Sequence, residues 1–293
     1  MLYDLKLKIT YTYTEPATGG RHLLRLLPMD IPQRQRLIAG HVETAPLPAE
    51  RREYLDFFGN GTVEVTFRDP HEEIAFEVLA RVSRLAVEPE FDVSTELSLI
   101  TQELQSLRSI QPDSPAHFTA ASPLVPLDTE IADYTRDAIQ GSGTVLSAVR
   151  AVGRALHRDM KFDAEATTVE TPLREAFTNR HGVCQDFTHI MISGLRGVGI
   201  PAGYVSGVLR TEPPPGKPRL EGADAMHAWV RAWCGVDAGW IDYDPTNAIE
   251  VGTDHVEIAH GRDYSDVAPV KGVLRASGTQ TSNQAVDLIP LSE

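Results

Sequence analysis

The chain has 293 residues, enough for a sizeable core and, at roughly 100–200 residues per domain, for two domains. Its formal net charge of −14 argues against nucleic acid or an anionic membrane surface as partners, because both attract basic faces. Hydrophobic residues at 42% and charged residues at 23% are ordinary for a globular protein. There is no run of about 18 or more apolar residues, and no basic leader with an apolar run opens the chain. The two cysteines, Cys184 and Cys234, are too few for a disulfide framework. The expectation is a cytoplasmic protein.

Residues 2–13 alternate, with Tyr3, Leu5, Leu7, Ile9, Tyr11 and Tyr13 on one face, which predicts a half-buried strand. Further strands are expected over 22–27 and 36–44. Asn60-Gly61 predicts a hairpin turn between 54–58 and the alternating Val63, Val65 and Phe67, and 74–82 alternates again. Residues 1–90 thus read as an antiparallel β-sandwich or barrel. Its histidines, His22, His41 and His71, are scattered and suggest no site. Residues 91–127, punctuated by prolines, read as a connection.

Residues 128–293 carry the helical text. Ile131, Tyr134 and Ala138 share a face of a helix beginning at Asp128, and Val145, Val149, Val152, Leu156 and Met160 share a face of the next. In a third helix Thr171 suits the N-cap, Pro172 the first position, and Gly182 the stop. Cys184 follows at once, opening a helix whose apolar face is Phe187, Ile190, Met191, Leu195 and Val198. There the free backbone N–H groups and the helix dipole favour a thiolate, the reactive form of cysteine. A lone cysteine nevertheless more often packs than reacts.

A strand over 204–209 comes next, then a Pro- and Gly-rich loop over 211–224 that reads as a lid, a substrate rim or a plain surface excursion. In the strand 225–234, His227, Trp229, Arg231 and Trp233 share one face, and the small residues Ala228, Val230, Ala232 and Cys234 the other. After a turn at 235–239, Trp240, Asp242 and Asp244 share a face of a strand that Pro245 ends. A pairing sum of 471 would set His227 directly opposite Asp244. A thiol needs a base, an imidazole can act as one, and a carboxylate fixes the imidazole's tautomer and stabilises its charged form. Cys184, His227 and either aspartate supply that set.

Gly-Val-Cys-Gln-Asp-Phe at 182–187, Gly-Ile-Pro-Ala at 199–202, Tyr-Val-Ser-Gly at 204–207, His-Ala-Trp-Val at 227–230 and Gly-Trp-Ile-Asp-Tyr-Asp-Pro-Thr-Asn at 239–247 together resemble the bacterial transglutaminase-like superfamily. So does Gly-Arg-Asp-Tyr-Ser-Asp-Val-Ala-Pro at 261–269. The resemblance implies an α+β chain in which an N-terminal β accessory domain precedes a papain-like core of helices packed on an antiparallel sheet. It implies Cys184 as nucleophile, His227 as general base and Asp244, rather than Asp242, as third member. The implied reaction is acyl transfer on a peptide or protein amide through a thioester, as a cysteine peptidase or amidase, with no metal and no cofactor. An amine acceptor would make it a protein-glutamine transglutaminase, and a binding or scaffold module is the non-catalytic alternative.

Gln185, Trp229, Asp242 and Tyr264 are the oxyanion and cleft candidates, joined by the Cys184 N–H at its helix start. Arg262 and Asp263 line the cleft or form a plain turn. Cys234 is expected to be buried and inert, His189 to pack, and Asp186 to complement the helix dipole. A zinc site of Cys184, His227 and an aspartate lacks supporting spacing. Substrate identity and oligomeric state stay open.

Overall fold

The computed structural model describes residues 1–86, 91–211, 224–275 and 278–291. The alternation at the start of the chain is realised in β1 (Leu2–Leu24), which buries Tyr3, Leu5, Leu7 and Ile9 and leaves Lys6 and Lys8 exposed. β1 absorbs two segments that the sequence separates. Its pairing slips between Thr12 and Ala17, and beyond that point it leaves one set of neighbours for another. The other strands of this half are β2 (Gln35–Ala45), β3 (Glu50–Leu55), β4 (Gly61–Phe67) and β5 (His71–Arg84), in the antiparallel order β2-β5-β1-β4-β3. A single long strand shared in this way makes the sheet curl.

The β3–β4 turn differs from the expected Asn60-Gly61 type. Leu55 pairs with Gly61, so the turn comprises residues 56–60. The Asp56 carboxylate accepts the N–H groups of Phe58 and Asn60, and Gly59 takes a φ of +83°. The Asn60 amide donates both to Asp56 Oδ2 within the turn, at 3.1 Å, and to the His260 carbonyl, at 2.9 Å.

The second half opens with α1 (Ile100–Ser106), a short 3-10 turn at Pro115–Phe118, α2 (Thr129–Ala138) and α3 (Val145–Asp159). Asp128 caps α2, and Thr144 caps α3 by exchanging hydrogen bonds with Ser147. Then come β6 (Lys161–Phe162), α4 (Leu173–Asn179), β7 (His181–Gly182) and α5 (Cys184–Gly197). In α4 Pro172, not Thr171, is the N-cap, because the Thr171 hydroxyl accepts the Thr168 N–H instead. Arg180, at φ +56°, and not Gly182 ends that helix.

Gly182 serves a close approach: a Cβ there would meet the Asp186 side chain at 2.5 Å. α5 is buried all round, beyond the single apolar face that its sequence shows. Its polar side chains find partners in the connection, with Ser193 donating to the Pro126 carbonyl and Arg196 to the carbonyls of Ala120, Ala202 and Arg262.

α5 packs on an antiparallel sheet of β8 (Ala202–Leu209), β9 (Ala225–Trp233), β10 (Trp240–Asp244), β11 (Ile249–Glu250) and β12 (His255–Gly261), ordered β11-β10-β9-β8-β12. The chain closes with α6 (Tyr264–Val267), β13 (Val270–Arg275) and β14 (Gln280–Leu291). These last two strands return to the first sheet, although the sequence groups residues 270–291 with the second half. Leu288 lies opposite Leu5 and Val286 opposite Leu7, so apolar side chains of both chain ends share one core. β13 flanks the second part of β1. Asp224 ties the head of β9 to β14, accepting the Leu288 N–H at 2.6 Å and donating its own N–H to the Val286 carbonyl. Of the expected loop at 211–224, residues 212–223 lie outside the described residues. Among the described residues no helix is long and apolar enough to cross a membrane.

Candidate active site

Cys184 is the first residue of α5, behind the extended Val183, and its side chain is only partly covered. Its helical turn is fixed from Asp186, whose carboxylate reaches back to the Val183 N–H at 2.8 Å and accepts the Thr167 hydroxyl at 2.6 Å. That carboxylate is therefore occupied away from the thiol. His227, near the head of β9, hydrogen-bonds through Nε2 to Asp244 Oδ2 at 2.7 Å, and its ring lies near enough to the Cys184 side chain to respond to its charge. With Nε2 engaged by the carboxylate, Nδ1 is the nitrogen left for sulfur.

Asp244 divides its work between its oxygens. Oδ1 accepts the backbone N–H groups of Thr246 and Asn247, capping the turn that Pro245 starts. Oδ2 accepts from His227, from the Asn247 amide at 2.7 Å and from His255 Nε2 at 3.3 Å. Burial alone would raise the Asp244 carboxyl, but these donors hold it well below the usual carboxylate range. Burial pulls His227 the other way, toward the neutral form. The hydrogen bonds and charges of Asp244 and Cys184 outweigh it and push the imidazole up to about 10. The arrangement favours the imidazolium form of His227.

The β9–β10 register is two residues from the one that would set His227 directly opposite Asp244. Trp240 pairs with Trp233 and Tyr243 with Val230, a sum of 473, because residues 235–239 close tightly through the Cys234 N–H to Gly239 carbonyl bond. Faces are preserved by a shift of two. Asp244 thus meets His227 along the diagonal.

The profile of the bacterial transglutaminase-like N-terminal region matches residues 3–83, and that of the transglutaminase-like superfamily matches 132–245. An uncharacterized protein of Mycobacterium leprae (strain TN), ML0607, is 33% identical over 285 residues, covering 96% of each chain. The chain belongs to the transglutaminase-like superfamily. An uncharacterized protein of Mycobacterium tuberculosis (strain H37Rv), Rv2569c, is 28% identical over 98% of this chain and 92% of its own. Among solved structures, one from Cytophaga hutchinsonii titled "a Putative Cysteine Protease" superposes with a TM-score of 0.74 at 20% identity, over 100% of this chain and 92% of that one. That likeness is one of fold: an N-terminal curled antiparallel sheet followed by a mixed core.

Within this transglutaminase-like chain the remaining candidates fall in different places. Trp229 is fully buried beside His227, its ring edge against His255 at 5.2 Å between centroids. Gln185 is buried and reaches the Val169 carbonyl. Asp242 turns away from His227 and pairs with Arg34 of the β1–β2 connection at 2.6 Å. Tyr264 packs on Tyr204, whose phenol burial pushes far up and which lies close enough to Cys184 to feel its charge.

Asp263 is fully buried and caps α6, and Arg262 pairs with Asp266. The buried His189 accepts the Tyr264 N–H and is pushed down to about 4 by burial. Burial pushes the Cys234 thiol up to about 12.

His255 and Asn247 are the site residues that the sequence did not single out for a role. Asn247 stands inside a quoted motif. His255 carries no local signal, since it heads β12, at the far edge of the sheet from β10. His227, Asp244 and His255 bring one donor atom each within 4.8 Å, a spacing that could hold a metal ion. The three are already hydrogen-bonded together, and His255 Nδ1 lacks the partner that a ligating imidazole normally uses.

Proposed function

We propose that this protein is a cysteine-dependent acyl-transfer enzyme acting on peptide or protein amides, with Cys184 as nucleophile, His227 as general base and acid, and Asp244 as the group that orients His227. The observation carrying this reading is the single imidazole that is bonded to a buried carboxylate and lies near a partly exposed thiol at a helix start. In the first step the thiolate sulfur attacks the amide carbonyl and a C–S bond forms. The C–N bond then breaks as His227 gives its proton to the departing amine. In the second step His227 takes a proton from water, the hydroxide adds to the thioester, and the C–S bond breaks to leave a carboxylic acid and the thiolate. The Cys184 N–H, in the unpaired first turn of α5, is placed to receive the oxyanion.

A reducing, cytoplasmic setting would keep the thiol available. The test is intact-mass analysis after quenching a reaction with an activated peptide ester. We expect one acyl group on Cys184, absent from Cys184→Ala and decaying ~100-fold or more slowly in His227→Ala, as loss of a general base predicts. Equal acylation of Cys184→Ala would end the proposal.

A further inference from the structure

Where the chain leaves β1, and where the β3–β4 turn, the 3-10 turn, β13 and α6 come together, the surface holds a pocket of about 460 Å³, within the range of small-molecule sites. Its walls include Arg25, Arg262, Lys271, Phe57, Phe58 and His117. Direct contacts join the rings to one cation. Phe57 meets Phe58 edge-to-face at 5.0 Å between centroids and His117 at 5.2 Å, and the Arg262 guanidinium lies 6.0 Å from the Phe58 ring. With two rings packed on it, Phe57 is still 56% exposed. An apolar body that enters the pocket gains by taking that surface out of water.

The carboxylates of the pocket are satisfied, whereas its cations are not. Asp56 accepts Arg25 Nε, the N–H groups of Phe58 and Asn60, and the Asn60 amide. Asp266 accepts Nε and Nη2 of Arg262 side-on, together with the Arg262 backbone N–H. That pairing occupies one edge of the guanidinium and leaves Nη1, with the second hydrogen of Nη2, on a side chain that is 40% exposed. Lys271, on β13 opposite Leu23, is exposed and makes no ion pair among the described residues. Arg25, Arg262 and Lys271 against Asp56 and Asp266 leave one positive charge, on a chain whose net charge is −14.

We propose that this pocket is a binding site, separate from Cys184, for a small aromatic carboxylate. The free edge of Arg262 takes the carboxylate with two hydrogen bonds. Lys271 supplies the charge that neutralises it, and the ring of the ligand lies against Phe57. A single surplus positive charge matches a monoanion rather than a phosphate dianion. Arg262, Lys271 and Phe57 all reach solvent, so the ligand enters without opening the fold. None of the lining residues belongs to the Cys184, His227 and Asp244 set, and the site stands independently of the acyl-transfer reading.

The experiment is calorimetric titration of the full chain with three probes: 3-phenylpropanoate, 3-phenylpropanamide, which keeps the ring and loses the charge, and propanoate, which keeps the charge and lacks the ring. The expected result is saturable binding of 3-phenylpropanoate, about tenfold or more tighter than either of the others. Arg262→Gln and Lys271→Gln should each weaken it to the level of the amide, Phe57→Ser to the level of propanoate, and Cys184→Ala should leave it unchanged. The comparison among probes uses wild-type protein and stands even if a variant does not fold. No saturable binding of 3-phenylpropanoate at millimolar concentration overturns the proposal. So does equal affinity for the acid and the amide, binding that survives both Arg262→Gln and Lys271→Gln, or binding lost with Cys184→Ala, which would place the ligand at the other site.

Discussion

Asp244 is held by five hydrogen bonds, and only one of them reaches His227. The backbone bonds to Oδ1 fix the carboxylate in the turn, and Asn247 and His255 fix Oδ2. We therefore expect His255 to act as a positioning residue. Removing a hydrogen bond to a charged group costs about 1.5–3 kcal/mol, which corresponds to a rate loss of roughly ten- to a hundredfold. His255→Ala should show that loss in kcat with KM little changed, and His255→Gln, which keeps a donor, should recover part of it. A kcat for His255→Ala within twofold of wild type would reduce His255 to a packing residue. Cys184, His227 and Asp244 were nameable beforehand because each sits in a short local motif. His255 was not, because it sits in no recognisable motif and reaches Asp244 only through the fold of the short connection 251–254 between β11 and β12.

At the scale of elements, the close approach of α3 to β10 sets where Asp244 stands. Gly153 of α3 faces Tyr243, and a Cβ there would come within 1.9 Å of the tyrosine ring. Gly153→Ala would gain up to about 1 kcal/mol of helix propensity. It would lose more by overpacking, typically about 1–3 kcal/mol. We expect a lower Tm and a Tyr243 displacement that carries Asp244 with it. An unchanged or higher Tm would show that the helix and strand can separate freely.

Period and punctuation made most elements legible: alternation gave the strands, Asp128 announced α2, and the helical spacing from Val145 to Met160 gave α3. The burial of the polar face of α5 was not legible, because it depends on the connection wrapping over Ser193 and Arg196. The β9–β10 register was not legible either, since a pairing sum of 471 or 473 gives the same alternation of faces.

For the whole molecule, both ends of the chain meet in one sheet, so the last strand is part of the fold's support. Removing residues 280–293 would strip β14 from β1, expose Leu5 and Leu7, and release Asp224 at the head of β9. The truncated chain should lose cooperative thermal unfolding. If it unfolds at the wild-type Tm, that support is dispensable.

Acid is the second whole-molecule lever. Burial holds His22 and His189 down to about 4, below the ordinary histidine value of 6.5. Between those pH values the unfolded chain binds more protons than the folded one, so stability falls as pH drops from 6.5 to 4, by on the order of 3 kcal/mol per group. His227 works in the opposite sense, contributing fully below 6.5 and fading as pH rises through about 10. Urea midpoints should therefore be lower at pH 4.5 than at pH 7, and less so in His189→Asn. Equal midpoints in wild type would contradict the buried, neutral state of both rings.

The central claim is that His227 makes Cys184 a nucleophile. The most direct measurement is the rate of iodoacetamide labelling of Cys184 across pH, with the adduct mapped by mass spectrometry. The account predicts labelling of Cys184 at pH 6 about tenfold or more faster than that of a free thiol, as a thiolate stabilised by a neighbouring imidazolium requires. It also predicts loss of that advantage in His227→Ala and silence of the buried Cys234. Labelling of Cys184 no faster than a free thiol, or unchanged by His227→Ala, would contradict it.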